Sequence, residues 1–170
     1  MPRPHICFLQ AQCLPWHEAG PGLERKRLGD DGSPALAATT DATEPLRLDP
    51  RTGEQSFLYC AMPQHPPPAV MVGRFTHPVI EEIFVLEGSY VFGDVGRMGP
   101  GGYVYWREDV WHGPAGSETG YHLFIRVVGG VLRNVFSPEP ASFDWNPPYR
   151  PVLPEALRPL AREHSPGPRW

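Results

Sequence analysis

The prolines of this chain are distributed so unevenly that they limit where a regular sheet can form. Of the 23 prolines, 11 lie in residues 1–68 and nine in residues 138–170, which leaves Pro78, Pro100 and Pro114 between the two flanks. Proline has no backbone N–H to give to a sheet, so it is confined to edges, turns and strand ends. The sequence therefore predicts a sheet-forming centre with proline-rich flanks on both sides.

The centre of the chain, from Val70 to Val128, consists of short runs of β-branched and aromatic residues separated by glycine-bearing turns. This alternation is typical of an all-β barrel or sandwich, and no helical period of useful length accompanies it. Strands are predicted at 70–76, 79–86, 89–92, 102–106 and 121–128. Further strands are predicted at 23–28, 45–49 and 55–61, and a short helix at 154–164. The predicted fold class is all-β.

The size and charge of the chain limit the kinds of partner it can have. A length of 170 residues suits one domain, which we place at 1–150 with its core at 70–128, followed by a proline-rich tail at 151–170. The 15 basic and 19 acidic residues form no run of like charge, so neither a nucleic acid nor a membrane is expected as a partner. The three cysteines fit no zinc or disulfide spacing, and we expect a cytoplasmic protein.

A histidine and a carboxylate lie four residues apart in the segment THPVIEEIFVLEGSY, residues 76–90. Successive side chains of a strand point to opposite faces, so His77, Val79 and Glu81 share one face. Burying an imidazole and a carboxylate without partners costs several kcal/mol, about 2–7 for an uncharged polar group and more for a charged one. If this face is internal, His77 and Glu81 need each other, a water molecule or a metal ion.

A second segment can bring another imidazole to the same place. The sequence GPGGYVYWREDVWHGP, residues 99–114, leads from a glycine turn through a predicted strand and a loop to His112. His112 can alternatively cap the turn formed by the Gly-Pro that follows it.

At these residues the sequence resembles the cupin family. His77, Glu81 and Gly88 have the spacing of the second histidine, the glutamate and the glycine of the first cupin motif. Residues 99–112, with Gly-Pro followed by His112, resemble the second motif more loosely. The sequence of residues 73–128 resembles those of the cupin branch related to the ChrR anti-sigma factor barrel and the acetylacetone-cleaving dioxygenases. The resemblance implies a double-stranded β-helix, or jelly-roll barrel, with a metal held by His77, Glu81 and His112.

The sequence departs from the cupin pattern at one ligand. Phe75 stands where the first histidine of the motif is expected. The two remaining histidines and one carboxylate are a competent set for a divalent metal, with iron(II) expected first and zinc, manganese or nickel as alternatives. His122 is a candidate fourth ligand if its strand face is the inner one. The alternative interpretation is a hydrogen-bonded pair left over in a barrel that no longer holds a metal.

Candidate catalytic and substrate-binding residues follow from the same implied barrel. Glu81 is a candidate catalytic residue, and Arg126, on the strand face of His122, is a candidate anchor for a substrate carboxylate or enolate. The expected pocket wall comprises the aromatic residues Phe75, Tyr90, Tyr105 and Trp111. Each of these aromatic residues can instead serve core packing alone.

The resemblance implies a metal-dependent enzyme acting on a small enol or ketone substrate, with dioxygenase-like cleavage of a carbon–carbon bond. The alternatives are a cyclase, isomerase or lyase of small-molecule biosynthesis, or a non-catalytic barrel that senses a metal or metabolite. The proline-rich segment 137–154, called the tail from here on, carries Phe143, Trp145 and Tyr149, whose rings need to be shielded from solvent by packing. We expect this tail to pack along the outside of its own barrel or a neighbour's, and the protein to be a homodimer.

Overall fold

A computed structural model describes residues 16–20, 23–26, 47–49, 51–61, 73–93 and 95–162. These residues form twelve strands and one short 3-10 helix. In chain order the strands are β1 (Trp16–Gly20), β2 (Leu23–Lys26), β3 (Arg47–Leu48), β4 (Gln55–Ala61), β5 (Gly73–Thr76), β6 (Ile80–Gly88), β7 (Tyr90–Phe92), β8 (Gly96–Met98), β9 (Tyr103–Trp106), β10 (Ala115–Gly116), β11 (Tyr121–Val128) and β12 (Val135–Pro140). The 3-10 helix spans Glu155–Leu160. The predicted all-β class is confirmed.

The strands form three antiparallel sheets. The largest has seven strands in the order β1-β2-β4-β11-β6-β9, with β3 also paired to β4. A second sheet has the order β10-β7-β8, and a third consists of β12 and β5. Strand β11 therefore lies between β4 and β6, in the middle of the largest sheet.

The two central strands alternate between a buried and a less buried face. In β11 the odd-numbered residues are buried, and in β6 Glu81, Ile83 and Val85 are buried in the same alternating way. The hydrophobic core consists of Phe57, Val79, Ile83, Val85, Phe92, Tyr121, Leu123, Ile125 and Val127. Burying one such side chain is worth about 1.5–3 kcal/mol, so this face fixes the register of the sheet. Glu81 belongs to the buried face and is thereby held inside the barrel.

Most of the predicted strands are present. Residues 55–61 and 121–128 form strands with the predicted bounds, and β6 begins and ends within two residues of its prediction. The 3-10 helix lies inside the predicted helix, contains Pro159 and has no buried residue. The predicted segments 27–28, 45–46, 70–72 and 163–164 lie outside the described residues. Among the described residues, no helix is long and apolar enough to cross a membrane.

The tail that follows β11 packs on its own barrel. Strand β12 pairs with β5, and the backbone N–H of Arg150 donates to the carbonyl oxygen of Val95 at 2.7 Å. The guanidinium of Arg97 donates to the carbonyl oxygen of Trp145 at 2.6 Å and to a carboxylate oxygen of Glu118 at 2.7 Å. The prediction that the tail lies along the outside of a barrel is confirmed for the chain's own barrel.

Candidate metal centre

Three separate elements bring His77, Glu81 and His112 together. His77 directly follows β5, and Glu81 is the second residue of β6. His112 is placed by an isolated bridge to Phe75, in which each residue donates its backbone N–H to the other's carbonyl oxygen at 2.9 Å. The same pair of hydrogen bonds therefore ties the loop after β9 to the strand that precedes His77.

The donor atoms of these residues converge on one point inside the barrel. The His77 Nε2 atom lies 3.2 Å from Glu81 Oε2 and 3.2 Å from His112 Nε2, and the third side of the triangle measures 3.9 Å. The three residues are exposed to only 3%, 6% and 4%. Two atoms that share one ion at about 2.1 Å can be at most about 4.2 Å apart. The cluster thus fits a single divalent metal ion.

The other ring nitrogens orient both imidazoles toward the cluster. The Nδ1 atom of His112 lies 2.9 Å from the carbonyl oxygen of Val110, and that of His77 lies 3.4 Å from the carbonyl oxygen of Arg133. A carbonyl oxygen only accepts, so these contacts assign the hydrogen to Nδ1 and leave the lone pair on each Nε2. With these tautomers three acceptor atoms face one another, an arrangement that a shared cation or a shared proton would stabilise. Backbone carbonyls that hold Nδ1–H are a common support of metal-binding histidines.

The electrostatics of the site favour the metal-binding form of His112. Burial, the largest cause, lowers the pKa of His112, while the hydrogen bond to Val110 and the charge of Glu81 act in the opposite direction. A lowered pKa keeps the imidazole neutral at physiological pH, and the neutral ring is the form that binds a metal.

Aromatic rings surround the cluster. The indole of Trp106 lies parallel to the imidazole of His112, with centroids 4.8 Å apart and an interplanar angle of 8°. The ring of Phe75 meets His112 at 4.5 Å and His77 at 5.6 Å, so it covers the cluster where a further ligand is expected from the cupin pattern. Gly113 makes room for Phe75, because a Cβ atom at Gly113 would lie 2.5 Å from that ring.

Trp106 is a residue of the site wall that is not among the four aromatic residues predicted from the sequence. Strand β9 alternates strictly, with Tyr103 and Tyr105 exposed and Val104 and Trp106 less exposed. The two-residue period of this strand is therefore visible in the sequence. The period alone does not say which face is internal, and the predicted pocket contains Tyr105 from the exposed face. Trp106 is directly opposite Glu81 in the pairing of β6 with β9, and side chains opposite each other project from the same face.

Tyr90 is partly buried and packs against the barrel core. Its ring contacts Phe92 at 4.4 Å and Tyr121 at 4.8 Å. Burial and, secondarily, the charge of Glu81 raise the pKa of Tyr90 far above its usual value. The phenol therefore stays protonated and can act only as a neutral hydrogen-bonding group.

His122 and Arg126 lie on the outer face of β11. The His122 Nδ1 atom donates to Glu87 at 2.9 Å, and Arg126 donates to Glu82 at 3.4 Å. The inner face of this strand is occupied by its odd-numbered, buried residues. The expectations that His122 supplies a fourth ligand and that Arg126 anchors a substrate in the site are therefore wrong.

Two further pocket residues lie outside the buried wall. Tyr105 is 47% exposed on the outer face of β9, and Trp111 is 43% exposed in the loop that precedes His112. The carbonyl oxygen of Trp111 accepts a hydrogen bond from Arg74 at 3.3 Å. Of the four aromatic residues expected around the substrate, Phe75 and Tyr90 are internal, whereas Tyr105 and Trp111 are at the surface.

Comparison with known proteins identifies the fold. No family model matches the sequence, and no curated protein matches it. Among solved structures, an RmlC-like cupin from Shewanella frigidimarina NCIMB 400 has 16% identity and a TM-score of 0.51, over 76% of this chain and 96% of its own. An RmlC-like cupin protein from Ralstonia eutropha JMP134 has 16% identity and a TM-score of 0.52, over 78% and 80%. The polyketide cyclase RemF from Streptomyces resistomycificus has 14% identity and a TM-score of 0.45, over 85% and 91%.

The protein has a cupin-type jelly-roll fold, as the sequence predicted. The fold likeness rests on the two RmlC-like structures and on the strand content of the chain. Inside this fold, His77, Glu81 and His112 form a buried cluster with the donor set of a divalent metal site. The resemblance to the ChrR and acetylacetone-cleaving dioxygenase branch stays a prediction, since an identity of 16% supports the fold alone.

Proposed function

We propose that the protein is a metal-dependent enzyme that acts on a small enol or ketone and cleaves a carbon–carbon bond with dioxygen. The observation that carries the proposal is the convergence of two imidazoles and one carboxylate in a buried, apolar barrel. Three protein ligands leave positions free for small molecules, which is the arrangement of catalytic rather than structural metal sites. Among the described residues, no other histidine, cysteine or carboxylate group completes the set.

The donor set favours iron(II), with zinc, manganese and nickel as alternatives. Two histidines and one carboxylate with open positions are typical of non-haem iron(II) oxygenases. When bound, such an ion supplies a Lewis acid that polarises a carbonyl or enol oxygen and a binding position for dioxygen. In the proposed overall reaction, an enol R–C(OH)=CHR′ and dioxygen give the carboxylic acid R–COOH and the aldehyde R′–CHO, so that one oxygen atom of dioxygen enters each product.

The protein residues have separate tasks in this proposal. His77 and His112 hold the ion through Nε2, because their Nδ1 atoms are engaged by backbone carbonyls. Of the two buried carboxylates among the described residues, Asp49 is bound by Arg51, whereas Glu81 faces the imidazoles. Glu81 is therefore the candidate base that accepts the acidic α proton of the substrate.

The same interior argues against a reaction that needs several acids and bases. Apart from the cluster and Asp49, the buried polar residues of the described part of the chain are Gln55, Thr76 and Ser117, none of which titrates near neutral pH. A cyclase, isomerase or lyase would have to move all its protons through the cluster itself. A non-catalytic metal or ligand sensor needs no further acid or base and is the second candidate.

The experiment begins with metal analysis of protein purified without a polyhistidine tag. We expect close to one divalent ion per chain in the wild type and its loss in His112→Ala. The matched control is His122→Ala, because His122 is a histidine on the outer face of the same barrel. Equal metal content in all three proteins would contradict the assigned site.

Iron-loaded protein is then supplied with diketones and aryl ketones while dissolved oxygen is recorded. Oxygen consumption matched by carboxylate product supports the oxygenase. Conversion without oxygen uptake points to the cyclase, isomerase or lyase, and stoichiometric metal without any conversion points to the sensor.

We also propose that the chain forms a homodimer in the cytoplasm, for which the exposed apolar side chains of Phe136, Val152 and Leu160 offer contact surface. Light scattering at micromolar concentration checks the dimer.

A further inference from the structure

The indole N–H of Trp106 is a buried polar group that is not one of the donor atoms of His77, Glu81 and His112. The indole Nε1 is shielded from solvent and has no hydrogen-bond partner in the part of the chain that the structure describes. Such groups are rare, since a buried donor without an acceptor forgoes the hydrogen bond it makes in water. Packing alone does not require this group, because a phenylalanine ring would fill a similar place without an N–H.

The position of Trp106 puts the indole beside two of the three donor residues. The ring lies flat against His112, and Trp106 is the cross-strand neighbour of Glu81. Its other aromatic neighbour is Phe92, at 6.0 Å. The indole thus lies next to both the cluster and the apolar core, and no acceptor among the described residues reaches its Nε1.

We propose that the Trp106 Nε1–H donates a hydrogen bond to an anionic oxygen of the molecule bound at the cluster, an enolate or a carboxylate. This inference rests on the proposed function and adds a substrate-binding residue to it. A fixed donor in a water-excluded site is worth most where negative charge resides on the ligand. The site therefore selects ligands that present a second oxygen toward β9, beyond the atom held at the cluster.

The test uses the signal of the indole N–H itself. Full-length protein labelled with nitrogen-15 in its five tryptophans is loaded with zinc, which is diamagnetic, and titrated with acetohydroxamate as an anionic chelating probe. Trp106→Phe identifies the Trp106 signal by its disappearance. We expect that signal to move downfield as the probe binds, while the signal of the exposed Trp111 stays in place.

Affinity measurements give the second readout. Trp106→Phe should weaken acetohydroxamate binding about 10- to 100-fold, the range for one hydrogen bond to a charged acceptor, and leave zinc affinity within about twofold. The matched control, Trp111→Phe, should change neither. If Trp106→Phe does not fold, phenylalanine variants of the other four tryptophans assign the signal by elimination.

The outcomes separate this inference from the proposed function. A probe that binds zinc-loaded protein without moving the Trp106 signal overturns the inference and leaves the metal site intact. Equal probe affinity in wild type and Trp106→Phe does the same. Failure of the wild type to bind zinc, iron or manganese overturns the proposed function, and the inference fails with it.

Discussion

Phe75 and His112 are joined both through the backbone and through their rings. Two reciprocal hydrogen bonds of 2.9 Å connect their main chains, and the ring centroids lie 4.5 Å apart in an edge-on arrangement. Phe75, which stands where the cupin motif has its first histidine, is therefore in contact with one of the proposed metal ligands. Its ring also lies 5.6 Å from the imidazole of His77.

Replacing Phe75 with histidine should tighten metal binding. An imidazole at this position would start from a backbone already fixed next to His112 and could add a fourth donor to the three present. We expect zinc affinity, measured by competition with a chromophoric chelator, to rise about tenfold or more, in line with 1.4 kcal/mol per factor of ten. Probe anions should bind more weakly, because one open position is lost.

The control for this variant is Phe136→His. Phe136 contacts Phe75 at 5.9 Å but is 63% exposed, so a histidine there should leave zinc affinity unchanged. Unchanged affinity in Phe75→His as well would contradict the proposed ligand geometry.

Glu81→Gln should affect the metal-free and metal-loaded proteins in opposite directions. Without a metal, the carboxylate is buried against two imidazole nitrogens, and an amide of the same shape removes the buried charge and can donate to one of them. The melting temperature of the apo variant should therefore equal or exceed that of the apo wild type. With zinc, the variant should gain far less stability, because the charged ligand is gone.

Differential scanning calorimetry with and without zinc measures both effects. Glu82→Gln, on the outer face of the same strand, is the control and should show the wild-type response to zinc. A Glu81→Gln protein that zinc stabilises as strongly as the wild type would argue that Glu81 is not a ligand.

The sequence predicted the parts of the site that depend on local periodicity. The two-residue period of a strand predicts that His77 and Glu81 lie together, and the structure brings their side chains to 3.2 Å, although His77 lies between β5 and β6 and not in the strand of Glu81. The outward position of His122 could not be predicted in this way. Strand β11 lies between two others and carries apolar residues on both faces, such as Phe124 on one and Leu123 on the other. The two-residue period alone then cannot say which face of β11 points into the barrel.

The local sequence patterns also could not predict contacts between distant segments or the proline-containing strand β12. His112 reaches the cluster through a bridge to Phe75, 37 positions earlier in the chain, and no local pattern encodes that contact. Strand β12 was not predicted because it contains Pro138 and Pro140. It pairs only with β5 in a two-stranded sheet, where an edge tolerates residues without an N–H.

Arg97→Ala should loosen the tail. The Arg97 guanidinium is shared among Glu118, Asn146 and the carbonyl oxygen of Trp145, so its removal leaves these groups without their common donor. We expect the free energy of unfolding to fall by about 1–3 kcal/mol, the range for losing hydrogen bonds that involve a charge. Limited proteolysis should cut the tail after residue 140 faster than in the wild type.

Arg126→Ala is the matched control for this variant. Arg126 also forms an ion pair, but at 3.4 Å and on the outer face of the sheet. Exposed pairs contribute about 0–1 kcal/mol, so this change should be close to neutral in urea unfolding. Equal losses in both variants would show that Arg97 has no special role in holding the tail.

Gly113→Ala should damage the metal site through Phe75. Gly113 has a φ angle of +75°, and a Cβ atom there would approach the Phe75 ring to 2.5 Å. Gly129 has a similar positive φ of +98°, but nothing lies within 4 Å of its Cβ position. Both alanine variants therefore carry comparable backbone strain, about 1–2 kcal/mol, and only the first also meets a steric clash.

The comparison of the two glycine variants isolates the effect of the clash. Gly113→Ala should lose more unfolding free energy than Gly129→Ala in urea denaturation, since Phe75 must move. It should also bind zinc more weakly, because Phe75 and His112 share backbone hydrogen bonds. Gly129→Ala should keep wild-type zinc affinity despite its lower stability. If both variants bind zinc like the wild type, the contact between Phe75 and Gly113 contributes to stability and not to the geometry of the site.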